Sequence, residues 1–181
     1  MRAVVLEMPS HWLEERRRHG LDRRDEVWDG VLHMVPSPGP PHQRFAGDLE
    51  AVLRPLVKLR GLEVIRETSV FAARDEKNFR VPDLVVVAPD QLSRRGVERR
   101  AEIVIEILSP NDESRDKLPF YCACGVVETW LLDPVTRGCE VFSLADSYAM
   151  ASRVSAVLGI ELAVVSGPRL RMTWTDGTAD I

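Results

Sequence analysis

Lysine is scarce in this chain. Of 24 basic residues only Lys58, Lys77 and Lys117 are lysines, and 21 are arginines. Solvated positive charge is therefore carried by arginine, and a lysine beside an unusual motif draws notice. Cysteine is equally sparse, with Cys122, Cys124 and Cys139. An odd count with C-x-C spacing fits neither a disulfide framework nor the common zinc patterns, which leaves three small hydrophobes. No apolar run approaches the roughly 18–20 residues that a membrane span needs. The opening MRAVVLEMPSHWLEERRRHG has too short an apolar stretch for a signal peptide. We therefore expect a cytoplasmic protein with no membrane partner. Positive charge is not in excess, since the formal net charge is −4. That excludes an overall basic nucleic-acid binder, although not a local basic patch. Also missing are a Gly-rich phosphate loop, a dinucleotide fingerprint, a Ser-His-Asp order, internal repeats and any linker that would mark a second domain. A single domain over residues 1–181 is expected, long enough for a substantial core.

What is present alternates between helical and strand periodicity. SHWLEERRRHG reads as a short helix with Ser10 as N-cap and Gly20 as stop. EVWDGVLHMV reads as a hairpin around Asp29-Gly30. After the loop PSPGPP, Phe45, Leu49, Val52, Leu53 and Leu56 recur at helical steps, with Gly61 as terminator and Pro55 expected to kink or divide the helix. LEVIRETSVFAA and RVPDLVVVAP follow as strands separated by a polar turn in RDEKN, and AEIVIEILS is the most buried strand. PNDESRDKLPFYCACG reads as a helix disturbed by Pro119, and the remainder as strands and hairpins. This order predicts an α/β (α+β) fold with a single mixed β-sheet flanked by helices.

The chemistry gathers around AEIVIEILSPNDESRDKLPFY. Glu106 shares a strand face with Val104 and Leu108, while Ile103, Ile105 and Ile107 take the other. A carboxylate in a doubly apolar strand costs several kcal/mol unless a cation, hydrogen-bond donors or a proton compensate it. Asp83 stands at the entrance of another apolar strand, just after Pro82. In antiparallel neighbouring strands the start of one lies near the end of the other, so the two acids would converge. Two such carboxylates suit a hard divalent cation, Mg²⁺ or Mn²⁺. Ser109-Pro110-Asn111-Asp112 resembles a capping box that would start the next helix, placing Lys117 and Tyr121 on one face near the strand end. A lysine there can hold a water nucleophile or neutralise a phosphate.

At these residues the sequence resembles the Uma-type restriction-endonuclease family, once a domain of unknown function, within the PD-(D/E)XK nuclease superfamily. The resemblance runs through WDGVLHMVPSPGPPHQRFAGDLEAVL, VPDLVVVAP and EIVIEILSPNDESRDKLPFYCACGVVETWLLDP. It implies a restriction-endonuclease-like core and Mg²⁺-dependent cleavage of DNA. Asp83 then matches the acid of the Pro-Asp motif, and Glu106 the acid of the E-x-K motif. The lysine of that motif would fall at Leu108; the matching lysine is instead Lys117, on the following helix, with Glu113 four residues before it. His42 matches the histidine that opens the family's first long helix. The resemblance implies that Asp83, Glu106 and the Ile107 carbonyl hold the metal, that Lys117 assists the water, and that the enzyme works as a homodimer.

Two further readings stay open. One is a nuclease fold that binds nucleic acid or a protein partner without catalysis. The other is a metal-assisted phosphohydrolase of small nucleotides. The arginine clusters EERRRHG with DRRDE, and SRRGVERR, are interleaved with acids and read as solvated faces. The last connects the strands of Asp83 and Glu106 and is a candidate for phosphate contact. Asp133 reads as a turn former; Trp28, Tyr121 and Trp130 read as packing.

Overall fold

A computed structural model of the protein describes residues 9–72, 78–110 and 113–181. Helix α1 (Ser10–Arg18) buries none of its side chains. Pro9 takes its N-cap position, so Ser10 is the first helical residue rather than the cap. Strands β1 (Glu26–Trp28) and β2 (Val31–His33) form the expected hairpin. Both turn residues are left-handed, with φ 49° at Asp29 and 85° at Gly30, which matches the twist of the flanking strands.

Helix α2 (Pro40–Lys58) carries Pro40 and Pro41 in its first turn, where a missing N–H costs nothing. Its buried stripe is Phe45, Ala46, Leu49, Leu53, Leu56 and Val57. Pro55 lies inside the last turns, and of the two expected effects, a kink or a division, the division does not occur. Strands β3 (Glu63–Arg66), β4 (Ser69–Phe71), β5 (Phe79–Arg80), β6 (Leu84–Val87), β7 (Gly96–Val97) and β8 (Ile103–Ile107) follow. The turn expected in RDEKN falls almost wholly outside the described residues. So do Asn111 and Asp112 of the expected capping box. The helix expected from Pro110 starts later, as a 3₁₀ turn over Ser114–Lys117 that runs into α3 (Leu118–Ala123), with Pro119 in the first turn of α3. The chain ends in β9 (Glu128–Leu132), β10 (Cys139–Ser143), β11 (Ala151–Ser152), β12 (Val154–Ser155), β13 (Ile160–Val165), β14 (Arg169–Trp174) and β15 (Gly177–Asp180).

The fold is mixed α/β, as expected, but its strands divide among three sheets rather than one. These run β2-β1-β5-β4-β7, β11-β10-β9-β8-β6-β3 and β12-β13-β14-β15. The six-stranded sheet is mixed, because β8 pairs antiparallel with β6 and parallel with β9. The alternation of β8 divides the core as its sequence predicts. Ile103, Ile105 and Ile107 face α2 and the C-terminal sheet, packing with Phe45, Leu49, Leu53, Leu162 and Met172. Val104 faces the other way, with Tyr121, Val126, Val85 and Val97. Leu53 is fully buried in the first of these layers. Leu53→Ala is expected to destabilise the protein by about 2–5 kcal/mol in a urea titration, since α2 cannot collapse onto two sheets at once.

All three cysteines are free thiols, with Cys139 buried and the other two partly so. Asp133 accepts the backbone N–H groups of Val135 at 2.7 Å and Thr136 at 3.0 Å, the turn role expected of it. No helix among the described residues is long and apolar enough to cross a membrane.

Candidate active site

The register between β6 and β8 pairs Leu84 with Ile105 and Val85 with Val104. Continuing that ladder by one residue brings Asp83 opposite Glu106. Asp83 Oδ2 accepts the Ile107 N–H at 2.8 Å, which closes the ladder with a side chain in place of a carbonyl. Asp83 is 4% exposed and Glu106 3% exposed. The expected convergence of the two acids is present, and each acid has its own set of partners.

On the Asp83 side, Arg24 donates from Nη2 to Oδ1 at 2.6 Å and from Nη1 to Glu67 at 3.2 Å. His42, in the first turn of α2, places Nε2 3.3 Å from Asp83 Oδ2 and 3.1 Å from the Ile107 carbonyl oxygen. Both neighbours are acceptors, so Nε2 carries the proton. Burial works to raise the Asp83 carboxyl. The hydrogen bond and charge of His42, the Arg24 charge and the Ile107 amide outweigh burial and hold it below the usual carboxylate range. Burial works to lower the His42 imidazole, but the hydrogen bond and charge of Asp83 lift it above its ordinary value.

On the Glu106 side, two donors meet at one oxygen. Lys117 Nζ lies 3.1 Å from Oε1, and the Tyr121 hydroxyl donates to the same atom at 2.5 Å. Glu106 points to the face carrying α3, as strand alternation requires. Burial pushes its carboxyl up to about 7; the charges of Asp83 and Glu26 act in the same direction, while Lys117 and the Tyr121 bond oppose them. Burial disfavours the Lys117 ammonium, yet the charges of Glu106 and Glu26 keep it protonated well above the ordinary lysine range. Burial and the same two carboxylates raise Tyr121, so its hydroxyl stays a neutral donor.

Three members of this cluster do not stand out as site residues in the sequence. Glu26, in β1, is 1% exposed and accepts Lys117 Nζ at 2.8 Å. Arg24 sits within DRRDE, which reads as a solvated face but delivers this side chain to Asp83. Tyr121 is core packing, as expected, and also a hydrogen-bond donor to Glu106. One signal for Glu26 is present: in a short strand it shares a face with Trp28, so an acid stands where an apolar residue would pack. The second arginine cluster moves the other way. SRRGVERR joins the end of β6 to the start of β8, about four strand residues, roughly 13 Å, from the ends that carry the acids. Arg95 there pairs with Glu98 at 3.1 Å and covers the Phe71 ring at 4.5 Å. This cluster therefore does not lie beside the acids. Glu113 lies 3.3 Å from His33 Nδ1, and His33 stacks on Trp28 with ring centroids 4.2 Å apart.

The oxygen donors that face one another in the cluster are the two carboxylates, with the Ile107 carbonyl beside them. Among the described residues no group of three His, Cys, Asp or Glu side chains is spaced to hold a metal ion. A hard cation of the Mg²⁺ type does not need such a group, because it binds through one or two carboxylates and keeps several waters. The donor chemistry fits such an ion, with Arg24 and His42 neutralising Asp83 in the present arrangement.

Comparison with known proteins bears on the fold and the family of the chain. A crystal structure described as "a putative nuclease belonging to DUF820", from Anabaena variabilis, is 19% identical, with a TM-score of 0.59 over 79% of this chain and 82% of that one. At that identity the likeness concerns the fold. No curated relative matches the sequence. The model of the Uma2 family, described as "Putative restriction endonuclease", matches residues 12–171, most of the chain. The chain belongs to the Uma2 family.

Proposed function

We propose that the protein is a Mg²⁺- or Mn²⁺-dependent endonuclease that hydrolyses phosphodiester bonds of DNA. The observation that carries this reading is the single cluster in which Asp83 stands opposite Glu106 and Lys117 Nζ lies 3.1 Å from Glu106. Asp83, Glu106 and the Ile107 carbonyl would hold the metal. The ion, when bound, supplies Lewis acidity to the phosphate and a water more readily deprotonated. Lys117 presents an ammonium that stays charged at neutral pH; it orients the attacking water and balances charge on the pentacovalent phosphorus. His42 ties Asp83 to the Ile107 carbonyl and so holds two of the metal's oxygens in one orientation. Cleavage of both strands of a duplex calls for two sites, which supports a homodimer as the working form.

The test is titration of the metal-free protein with MgCl₂ and MnCl₂ in a calorimeter, alongside a plasmid nicking assay. Asp83→Asn and Glu106→Gln are close to isosteric. Each is expected to abolish measurable metal binding and nicking, and EDTA to abolish nicking by the native protein. Metal binding that survives both substitutions would show that the two acids are not the metal's ligands.

One observation favours a second reading, a nuclease fold that binds nucleic acid or a protein without cutting. Each acid is already neutralised by the chain's own cations: Asp83 by Arg24 and Glu106 by Lys117. DNA binding that persists in EDTA and in Glu106→Gln, with no nicking under any metal, would select it. The salt dependence of that binding counts the phosphates contacted.

A further inference from the structure

The lysine of this site is not carried by a strand. The position two residues after Glu106 is Leu108, and the ammonium comes from Lys117, on a 3₁₀ turn eleven residues beyond the acid. A strand lysine has its backbone fixed by hydrogen bonds to neighbours on both sides. A short 3₁₀ turn has no such ladder, and a lysine side chain brings four rotatable bonds. Something else must hold the ammonium in place, and it has to be anionic because the site is buried.

We propose that Glu26 is the positioning residue for Lys117, a fixed second anchor that replaces the missing strand. Glu26 Oε1 takes Lys117 Nζ at 2.8 Å, closer than the 3.1 Å to Glu106. The carboxylate is itself held on every side. Oε1 also accepts the Val81 N–H at 2.9 Å, and Oε2 accepts Trp28 Nε1 at 2.7 Å. Trp28 is in turn fixed by His33 stacked on one side and by the Arg80 guanidinium 4.4 Å from its ring centroid. Arg80 also lies 4.0 Å from the Phe120 ring of α3, so the helix that follows Lys117 is joined to the strand that carries Glu26. The ammonium is thus strung between two carboxylates from two different sheets. One, Glu106, belongs to the proposed metal shell and would change its environment on binding a cation. The other, Glu26, is held by Trp28 Nε1 and the Val81 N–H, neither of which belongs to that shell. If a metal were to compete with Lys117 for Glu106, Glu26 would still hold Lys117 Nζ inside the cluster through its 2.8 Å contact. This role rests on the nuclease reading, but the hold on Lys117 can be measured without it.

With three lysines in the chain, protein labelled with ¹³C at the lysine ε-carbon gives three methylene signals, and Lys117→Arg identifies the one sought. In the native protein the Lys117 methylene is expected to be rigid, with an order parameter well above that of exposed Lys58. In Glu26→Gln the Lys117 value is expected to fall towards that of Lys58, with Mg²⁺ present. Affinity for Mg²⁺ should stay within about twofold, kcat for plasmid nicking should fall about tenfold to a hundredfold, and KM should hardly move. Trp28→Phe removes one donor to Glu26 but keeps its charge and an aromatic ring. It should leave Lys117 rigid, which separates loss of the anchor from general loosening. If Glu26→Gln does not fold, Glu26→Asp supplies the same readout, because its carboxylate is drawn back by one methylene. Lys117 remaining rigid in whichever variant folds would overturn the proposal. Loss of Mg²⁺ affinity in step with activity would also overturn it, because Glu26 would then be a metal ligand and not an anchor. A protein that never nicks DNA would sink the nuclease reading alone, and the lysine signal would still decide the role of Glu26.

Discussion

Lys117→Met is expected to destabilise the protein by about 3–5 kcal/mol at pH 8, measured by urea denaturation, and to abolish nicking. The substitution leaves Glu26 and Glu106, 1% and 3% exposed, without the cation they share. Two uncompensated carboxylates in one buried site are the costly arrangement, whereas methionine itself fills the space well. The loss should shrink at pH 5.5. Glu106, with its carboxyl raised to about 7, is then largely protonated in the folded state and needs no partner. Equal losses at the two pH values would show that the carboxylates are not the source of the penalty. Lys117→Arg should restore part of the stability but not the nicking. A planar guanidinium is longer than an ammonium and cannot occupy one point between two carboxylates.

The second large effect is a pH dependence that runs opposite to ordinary acid denaturation. The Glu106 carboxyl moves from an ordinary 4.5 in the unfolded chain to about 7 in the folded one. Between those values the folded protein binds more protons than the unfolded, so stability falls as pH rises through that window, by on the order of 3 kcal/mol. Asp83 works in the other direction and lower on the scale. Its carboxyl is held below the usual range, so its contribution is present above the unfolded value and is lost on acidification. His42, raised above its ordinary 6.5, contributes below that value and loses its contribution as pH climbs through the raised one. Thermal melts of metal-free protein from pH 4.5 to 7 should therefore show a falling midpoint, and Glu106→Gln should flatten it. Saturating Mg²⁺ should flatten it as well under the proposed function, since a bound cation favours the ionised carboxylate. A native curve that rises across this window would mean that Glu106 is ionised throughout.

Much of this cluster is legible in the sequence, and the legible part is what local periodicity can carry. Glu106 stands out because strand alternation makes its burial unavoidable, and Asp83 because Pro82 and four apolar residues fix where its strand begins. Lys117 stands out because lysine is rare in this chain. The hairpin at Asp29-Gly30 follows from two residues that tolerate positive φ. What escapes has a common cause. Arg24 and Glu26 reach their partners across 59 and 91 residues of chain; nothing local distinguishes Arg24 from the other charges in LDRRDEVWDG, and the strand face that Glu26 shares with Trp28 marks it as an inward acid without naming its partner. The division of strands among three sheets escapes for the same reason, since pairing partners are chosen by tertiary packing. Pro55 does not break α2, because its missing N–H and its ring are tolerated near the end of a long helix whose apolar stripe is buried on two sheets.

The order in which these segments leave the ribosome matters to the cluster. Residues 24–28 send Arg24 to Asp83 and Glu26 to Lys117, yet β1 pairs with β2 and β5 and not with the sheet that carries the acids. The cluster therefore cannot form from any short stretch of chain. During synthesis from the N-terminus, the first anchor waits for the segment around Lys117, and β8 waits for its parallel neighbour β9 near residue 130. Contacts of such sequence separation form late, after the loop between them has been closed. A chain released before α3 lacks Lys117 and cannot assemble the charge cluster. The architecture ties the cluster's existence to completion of the fold, so a truncated product is expected to lack the site altogether rather than to keep part of its activity.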